Sequence, residues 1–408
     1  MYVDTTERKA ATGAALPVLK SRADAMAAVK ALLPKIRARA ARTDADRMVS
    51  RETIAEIMEA GLFGVGTPTE HGGSNLGFAA LVEVTTELAS ACGSTGWVFG
   101  VLAGHSWILN FFPQETQAEV HANGRSLSAT VFRLNGEAVV EGDAIRLTNA
   151  EGRFCSGVDH ASWVVVGVPV KAADGSMAPH FLIVPRSDIE VVDDWFTAGM
   201  RGTGSRTIKI KDSLVPRARA LSFKDMGVVA AAEAKRTGKP ILGVPWTAVL
   251  PFSLIGAPMG MARGTLANFV EGAAARMSTF SELQLAEQSA TFARLSEAAA
   301  DLDAAYALVL ANAQFCDEIQ DPSEITSLKA SQIARDWAWA AQKSRYAATR
   351  LFEAAGGTGI YDSSEMQRLW RDVNSAAQHF AFTWDGAMAI HGRALLGLAP
   401  AKFGVKGR

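Results

Sequence analysis

The sequence predicts a mainly α-helical protein with a central β domain. The expected order is an N-terminal helical domain, an antiparallel β domain and a C-terminal four-helix bundle. Three observations predict it. Apolar residues recur at helical spacing up to about residue 120. From about Leu127 short runs rich in Val, Ile and Thr alternate with Gly, Asp, Asn and Pro. After Pro251 helical periods return, in segments too long to be strands. The implied domains are 1–126, 127–220 and 221–408.

Each element follows from local signals. "ADAMAAVKALLPKIRARAARTDADR" is built from strong helix formers. "SRETIAEIMEAGLFGV" opens on a cap residue, Ser50, and repeats Ile54, Ile57, Met58 and Leu62 at helical spacing. Gly61 is its stop signal. "TPTEHGGSNLG" is a punctuated loop, and "FAALVEVTTELASAC" is the next helix. "TGWVFGVLAGHSWILNFF", Thr95–Phe112, is apolar on nearly every side, which predicts one central buried helix. "AVVEGDAIRLTNAEGRF", "ASWVVVGVPV", "HFLIVPRSDIEVVDDW" and "TIKIKDSLVP" are strand-like. Residues 221–245 are expected to be loop. The segments around "APMGMARGTLANFVEG", "AAADLDAAYALVLANAQFC" and "ASQIARDWAWAAQKSRYAATRLFEAAGG" form the long helices of the bundle.

Composition narrows the function. Basic residues number 41 and acidic residues 42, so the chain lacks the positive surplus that nucleic-acid binding needs. No uncharged apolar run reaches about 18 residues, so no membrane span is expected. "MYVDTTERKAATG" has no apolar core and is not expected to be a signal peptide. Cys92, Cys155 and Cys316 are far apart, which argues against disulfides or a zinc site and for a cytoplasmic location.

Motifs for phosphate-binding loops, serine nucleophiles and nicotinamide folds are absent. "GMRGTGS" lies between strands and opens no helix. "GGTGIY" follows a helix, and its local reading is a helix stop. The histidines His71, His105, His121, His160, His180, His379 and His391 show no metal-ligand spacing, so no metal is expected. Two of them draw attention. His105 and His379 sit in strongly apolar stretches, both read as helical, where an unpaired imidazole is costly unless it faces a cavity. Arg276 ends a largely uncharged helix; it is either a dipole partner or a phosphate contact.

Three stretches in order resemble the acyl-CoA dehydrogenase superfamily: "AGLFGVGTPTEHGG" (60–73), "GMRGTGSRTIKIKDSLVP" (199–216) and "LFEAAGGTGIYDSSEMQRLWRD" (351–372). The resemblance covers about residues 20–400 and implies an acyl-CoA dehydrogenase-like fold. One departure bears on function. In that superfamily a common base is a glutamate in a Tyr-Glu-Gly segment shortly after the Arg-Asp pair. Eight residues after Asp372 this chain has Phe380, with His379 in the tyrosine position. Phenylalanine removes no proton. "RFCSGVDHASWVVVG" (153–167) and the closing "WRDVNSAAQHFAFTWDGAMAIHGRALLGL" are instead similar to the oxygenase components of two-component flavin monooxygenases on the same fold, such as that of p-hydroxyphenylacetate hydroxylase.

That resemblance implies reduced FMN or reduced FAD, supplied by a separate NAD(P)H-dependent flavin reductase. It also implies O2, a C4a-hydroperoxyflavin, and a small aromatic substrate, phenolic or indole-like. It assigns catalysis to His105, Ser156 and His379: Ser156 near flavin N5, His379 as base or hydrogen-bond donor, His105 orienting the substrate. It points to Arg276, Arg371, Gly356 and Gly357 around the flavin, and to a homotetramer whose subunits share the site. Trp97, Trp107 and Phe111 are either pocket walls or core aromatics. Trp246 and Phe252 are expected to cover the pocket. Two readings compete: an acyl-CoA dehydrogenase-type flavoenzyme with a displaced base, and a helical scaffold that binds no flavin.

Overall fold

Ser21 starts the first helix: its side chain accepts a hydrogen bond from the Asp24 N–H, capping α1 (Arg22–Asp46). The computed structural model describes residues 16–122, 124–273 and 289–398. Ser50 caps α2 (Arg51–Glu59) in the same way, through the Thr53 N–H, and Ile54, Ile57 and Met58 face the core as their spacing predicts. Gly61 follows with φ +73°, the left-handed conformation the stop signal anticipates. Helices α3 (Gly77–Ala91) and α4 (Gly93–Gly104) complete the buried layer, and every residue of α4 is buried. A short helix, α5 (Gln114–Val120), closes this part.

The stretch Thr95–Phe112 is not one helix. The α geometry stops at Gly104, and residues 105–111 wind more tightly as a 3-10 helix. Polar side chains compete for the backbone there. Ser106 donates to the Ala103 carbonyl at 2.5 Å and Asn110 to the Trp107 carbonyl at 2.9 Å.

Among the described residues eight strands follow: β1 (Ser128–Val131), β2 (Asn135–Glu141), β3 (Ala144–Cys155), β4 (Trp163–Lys171), β5 (Met177–Pro185), β6 (Glu190–Val192), β7 (Arg206–Pro216) and β8 (Ala220–Ser222). They form one sheet in the order β6-β7-β3-β2-β4-β5-β8, with β1 beside β4. The sheet is mixed and not antiparallel as expected, because β1 runs parallel to β4. The β2–β3 hairpin intervenes between them in sequence and lets β4 re-enter in β1's direction. The register of β3 against β7 slips between Gly152 and Cys155, and this bulge shapes the site described below.

Residues 221–245 are not all loop. They hold α6 (Met226–Thr237), an alanine-rich helix that ends at Gly238 with φ +68°. The C-terminal bundle comprises α7 (Phe252–Ala273), α8 (Ser289–Glu318), α9 (Ser327–Ala355) and α10 (Glu365–Ala376), with α11 (Trp384–Leu395) packed on α9. Helix α3 lies along α7. Gly256, Gly260 and Gly264 of α7 press on α3, where an added Cβ would sit 2.7, 2.1 and 2.3 Å from the carbonyls of Val82, Thr86 and Ser90. The N-terminal and C-terminal helices thus share one core, and the sheet caps one side of it.

Candidate active site

A cavity of about 930 Å³ opens where α4, the sheet and the turn after α10 meet. Helix α4 and the turn after it contribute Trp97, Val101 and His105, spaced by four residues so that they share a face. The sheet contributes Thr130 and Phe132 from the end of β1, and Phe154 and Ser156 from the end of β3. The turn before β7 contributes Met200, Thr203 and Ser205, and the segment after α10 contributes Gln378, His379 and Phe380.

The β3 bulge exposes Ser156 to the cavity. Phe154 just before it adopts φ +66°, a conformation costly for an aromatic residue, and is 69% exposed with its edge on Trp195. Ser156 itself is buried. Its Oγ receives the Trp97 indole N–H at 3.2 Å and lies 2.6 Å from Ser205 Oγ. Ser205 Oγ lies 2.7 Å from Thr203 Oγ1, and Thr203 donates to the Met200 carbonyl at 2.8 Å.

His379 is not on a helix. Helix α10 ends at Ala376, and His379 caps a short turn, Phe380–Phe382. Its Nδ1 accepts the Ala381 N–H at 3.3 Å. The neutral ring therefore carries its hydrogen on Nε2. Burial lowers the His379 pKa to about 4, so the ring is neutral at pH 7. Trp97 meets it edge-on at 5.2 Å. His105 is fully buried, and burial, reinforced by nearby His379, lowers its pKa to about 3. Its Nδ1 and the neighbouring Thr130 Oγ1 are buried with no hydrogen-bond partner. Both line a cavity, so a ligand group is the natural partner for each.

Four expected residues therefore meet: Trp97, His105, Ser156 and His379. Others do not line the cavity. Trp107 packs edge-on against Phe111 at 4.8 Å, and Phe252 against Trp337 at 4.9 Å; these three are core aromatics. Trp107, two residues beyond His105, falls off the face that Trp97 and His105 share, and Phe111 packs against Trp107. Trp246 stands one layer back, stacked flat on Phe132 at 5.5 Å. Gly356 and Gly357 end α9 on the surface. Arg276 lies outside the described residues.

Arg371 makes three hydrogen bonds within the chain, to Gln367 Oε1 at 2.7 Å, the Ala198 carbonyl, and Asp44 at 3.1 Å. Asp372, buried and raised to about pKa 7 by that burial, accepts the Met200 N–H at 2.6 Å. "WRD" is therefore a clamp on the "GMRGTGS" turn, and the turn presents Thr203 and Ser205. Tight contact seals the pair: a Cβ on Gly199 would fall 2.3 Å from the Arg371 carbonyl oxygen. His391, left unassigned by the sequence, is structural, held between Ser331 at 3.1 Å and Arg335 at 2.9 Å.

Sequence reasoning missed Thr130, Phe132, Phe154, Thr203, Ser205, Trp195 and two exposed arginines at the mouth, Arg133 and Arg153. The "GMRGTGS" stretch was visible, but nothing local tied its hydroxyls to Ser156. The arrangement suits a flat, aromatic, electron-rich cofactor. It offers aromatic walls, a hydroxyl oxygen, orphaned polar atoms and enough volume for a cofactor and a small ligand together. Among the described residues no group of His, Cys, Asp and Glu could hold a metal ion, and no helix is long and apolar enough to cross a membrane.

Comparison with known proteins adds the following. The acyl-CoA dehydrogenase N-terminal domain model matches residues 24–121, and the C-terminal domain model matches residues 253–384. The chain is 34% identical to the flavin-dependent monooxygenase oxygenase subunit HsaA of Mycobacterium tuberculosis, over 92% of this chain and 96% of that protein. The crystal structure of the M. tuberculosis HsaA monooxygenase matches with a TM-score of 0.85, covering 94% of this chain and 99% of that one. The chain is 32% identical to the oxygenase component of an FADH2-dependent resorcinol hydroxylase from a Rhizobium species, over 89% and 92% of the two. It is 27% identical to the oxygenase component of p-hydroxyphenylacetate 3-hydroxylase from Acinetobacter baumannii, over 91% and 89%.

Proposed function

From the premise that this chain belongs to the flavin-dependent monooxygenase oxygenase subunits of the acyl-CoA dehydrogenase fold, we propose that it inserts one atom of O2 into a small aromatic, phenolic or indole-like. It is the oxygenase component of a two-component system and uses reduced flavin made by a separate reductase. The observation that carries the reading is the joining of Ser156, His379, His105 and Trp97 around one cavity whose lining, among the described residues, has a single carboxylate, Glu151, exposed and paired with Lys209 at 3.9 Å, and no buried carboxylate base. This disfavours the dehydrogenase alternative, which needs such a base.

Bound reduced flavin supplies the activation of O2; the protein's part is to hold, orient and keep dry. Ser156 Oγ would accept the N5 hydrogen of the flavin and, by holding it in place, oppose wasteful release of hydrogen peroxide. His379 would direct its Nε2–H at the group that transfers oxygen. The donor role fits better than the base role, because Nδ1 is occupied by Ala381 and the ring is a weak base. His105 and Thr130 would hold a polar group of the substrate. Arg133 and Arg153 would meet an anionic group at the mouth, the flavin phosphate or a substrate carboxylate.

Gly356 and Gly357, off this cavity but exposed, and Arg276 are assigned to a neighbouring subunit's flavin in a homotetramer. Arg371 we assign to the clamp on the turn before β7, through the Ala198 carbonyl and Asp44, and not to phosphate. The assigned compartment is the cytoplasm, which three buried free thiols support. FAD is the first candidate, because the resorcinol hydroxylase relative is named as FADH2-dependent. The test is turnover with a flavin reductase, NADH, a panel of phenols and indoles, and 18O2. One labelled oxygen per product supports the reading; oxidation of an acyl thioester without label contradicts it.

A further inference from the structure

A carbonyl oxygen carries no hydrogen, and that sets the direction of the chain behind Ser156. Thr203 Oγ1 lies 2.8 Å from the Met200 carbonyl, so the hydrogen between them is the threonine's. Each hydroxyl has one hydrogen. The 2.7 Å contact between Ser205 and Thr203 must then use Ser205's hydrogen. The 2.6 Å contact between Ser156 and Ser205 must in turn use Ser156's. From the other side Trp97 donates its indole N–H to Ser156 at 3.2 Å, and an indole can do nothing else. Ser156 thus reaches the cavity with a lone pair and no hydrogen.

The chain is held at its far end. Met200 sits at φ +56°, and its N–H is bound to Asp372 at 2.6 Å. Its carbonyl also receives the Trp195 indole N–H at 2.9 Å. The Gly157 N–H donates to the Thr203 carbonyl at 3.1 Å, which ties the turn carrying Ser156 to the turn carrying Thr203. Ser156, Ser205 and Thr203 are 8%, 5% and 2% exposed, so water does not scramble the order.

We propose that Ser205 and Thr203 are positioning residues that make Ser156 an obligate hydrogen-bond acceptor, so that the site selects reduced over oxidised flavin by the polarity of N5. The proposal rests on the monooxygenase reading. Reduced flavin presents an N–H at N5, which a bare lone pair accepts. Oxidised flavin presents a lone pair there, which meets another lone pair in a buried site. Leaving such a group unpaired costs about tenfold or more in binding. An oxygenase fed by a reductase gains from this polarity, because spent oxidised cofactor is released for reduction elsewhere.

The test is equilibrium binding. Wild type and variants are titrated with oxidised flavin and, anaerobically, with reduced flavin, using FMN and FAD in parallel. Wild type is expected to favour the reduced form. Thr203→Val keeps the shape but gives Ser205 no acceptor; Ser205 turns to Ser156 and frees Ser156's hydrogen for the cavity. Ser205→Ala frees the same hydrogen directly. Both are expected to tighten oxidised-flavin binding and reduce the preference about tenfold. Thr203→Ser, which keeps the hydroxyl chain, should retain the wild-type ratio. Thermal melts identify any variant that fails to fold, and the other variant then decides. An unchanged ratio in a folded Thr203→Val or Ser205→Ala protein overturns the relay, as does a wild type without preference. A wild type that binds no flavin in either state overturns the monooxygenase reading instead.

Discussion

His379 is where the residue scale decides most. Its Nδ1 caps the following turn and its ring lines the cavity, so Nε2–H is the donor it can offer there without titrating in the physiological range. Two outcomes follow. His379→Ala should bind reduced flavin nearly as wild type does, yet lose product by roughly 100-fold while hydrogen peroxide accumulates, the range expected for a lost acid–base or donor group. His379→Gln, which can place an N–H near Nε2, should recover part of the product yield. Because the lowered pKa leaves His379 neutral above about pH 5.5, the pH profile of kcat should show no inflection from it up to about pH 8.5. An inflection near pH 6.5 that vanishes in His379→Gln would show that the ring works as a base.

The site was partly legible at this scale. A lone imidazole in an apolar stretch flagged both His105 and His379, since burying an unpaired ring is costly. The resemblance supplied Ser156. Thr203 and Ser205 were illegible, because a hydroxyl between strands has no signature until another segment is folded against it. Trp107 and Phe111 misled for a related reason. They share an apolar stretch with His105, and nearness in sequence does not say which side chains face the cavity and which the core.

At the scale of elements, α3 against α7 is the contact that joins the two helical layers. Gly256, Gly260 and Gly264 repeat every fourth residue and meet the carbonyls of Val82, Thr86 and Ser90, which repeat in step. The pattern stands in the sequence, yet glycine in a helix reads there only as weak propensity. Gly260→Ala places a methyl 2.1 Å from the Thr86 carbonyl, and neither backbone can yield cheaply. We expect a loss of about 1–3 kcal/mol and a fall of several degrees in Tm by calorimetry. An unchanged or raised Tm would mean that the helices slide apart without cost. The mixed sheet and α6 were the other surprises. Strand direction is set by where the chain re-enters the sheet, and an alanine-rich segment with no apolar stripe gives a weak helical period.

For the whole molecule, the helical, β, helical order was legible because period and composition change sharply near Leu127 and again after Pro251. Quaternary structure was not. Ile360, Tyr361, Leu395 and Leu396 are at least 66% exposed, apolar side chains of the kind found at contacts between subunits. Light scattering should give about four times the chain mass of 43.2 kDa. A monomer with full activity would remove any role for Gly356, Gly357 and Arg276 at a neighbour's flavin.

The proposed function requires that this cavity hold reduced flavin and govern its reaction with oxygen. Stopped-flow mixing tests it most directly: the chain is loaded anaerobically with reduced flavin and mixed with O2 in the absence of substrate. A near-ultraviolet absorbance should rise quickly and persist before the visible band of oxidised flavin returns, with a shorter lifetime in Ser156→Ala. Immediate return of the visible band at the rate of free flavin would contradict it.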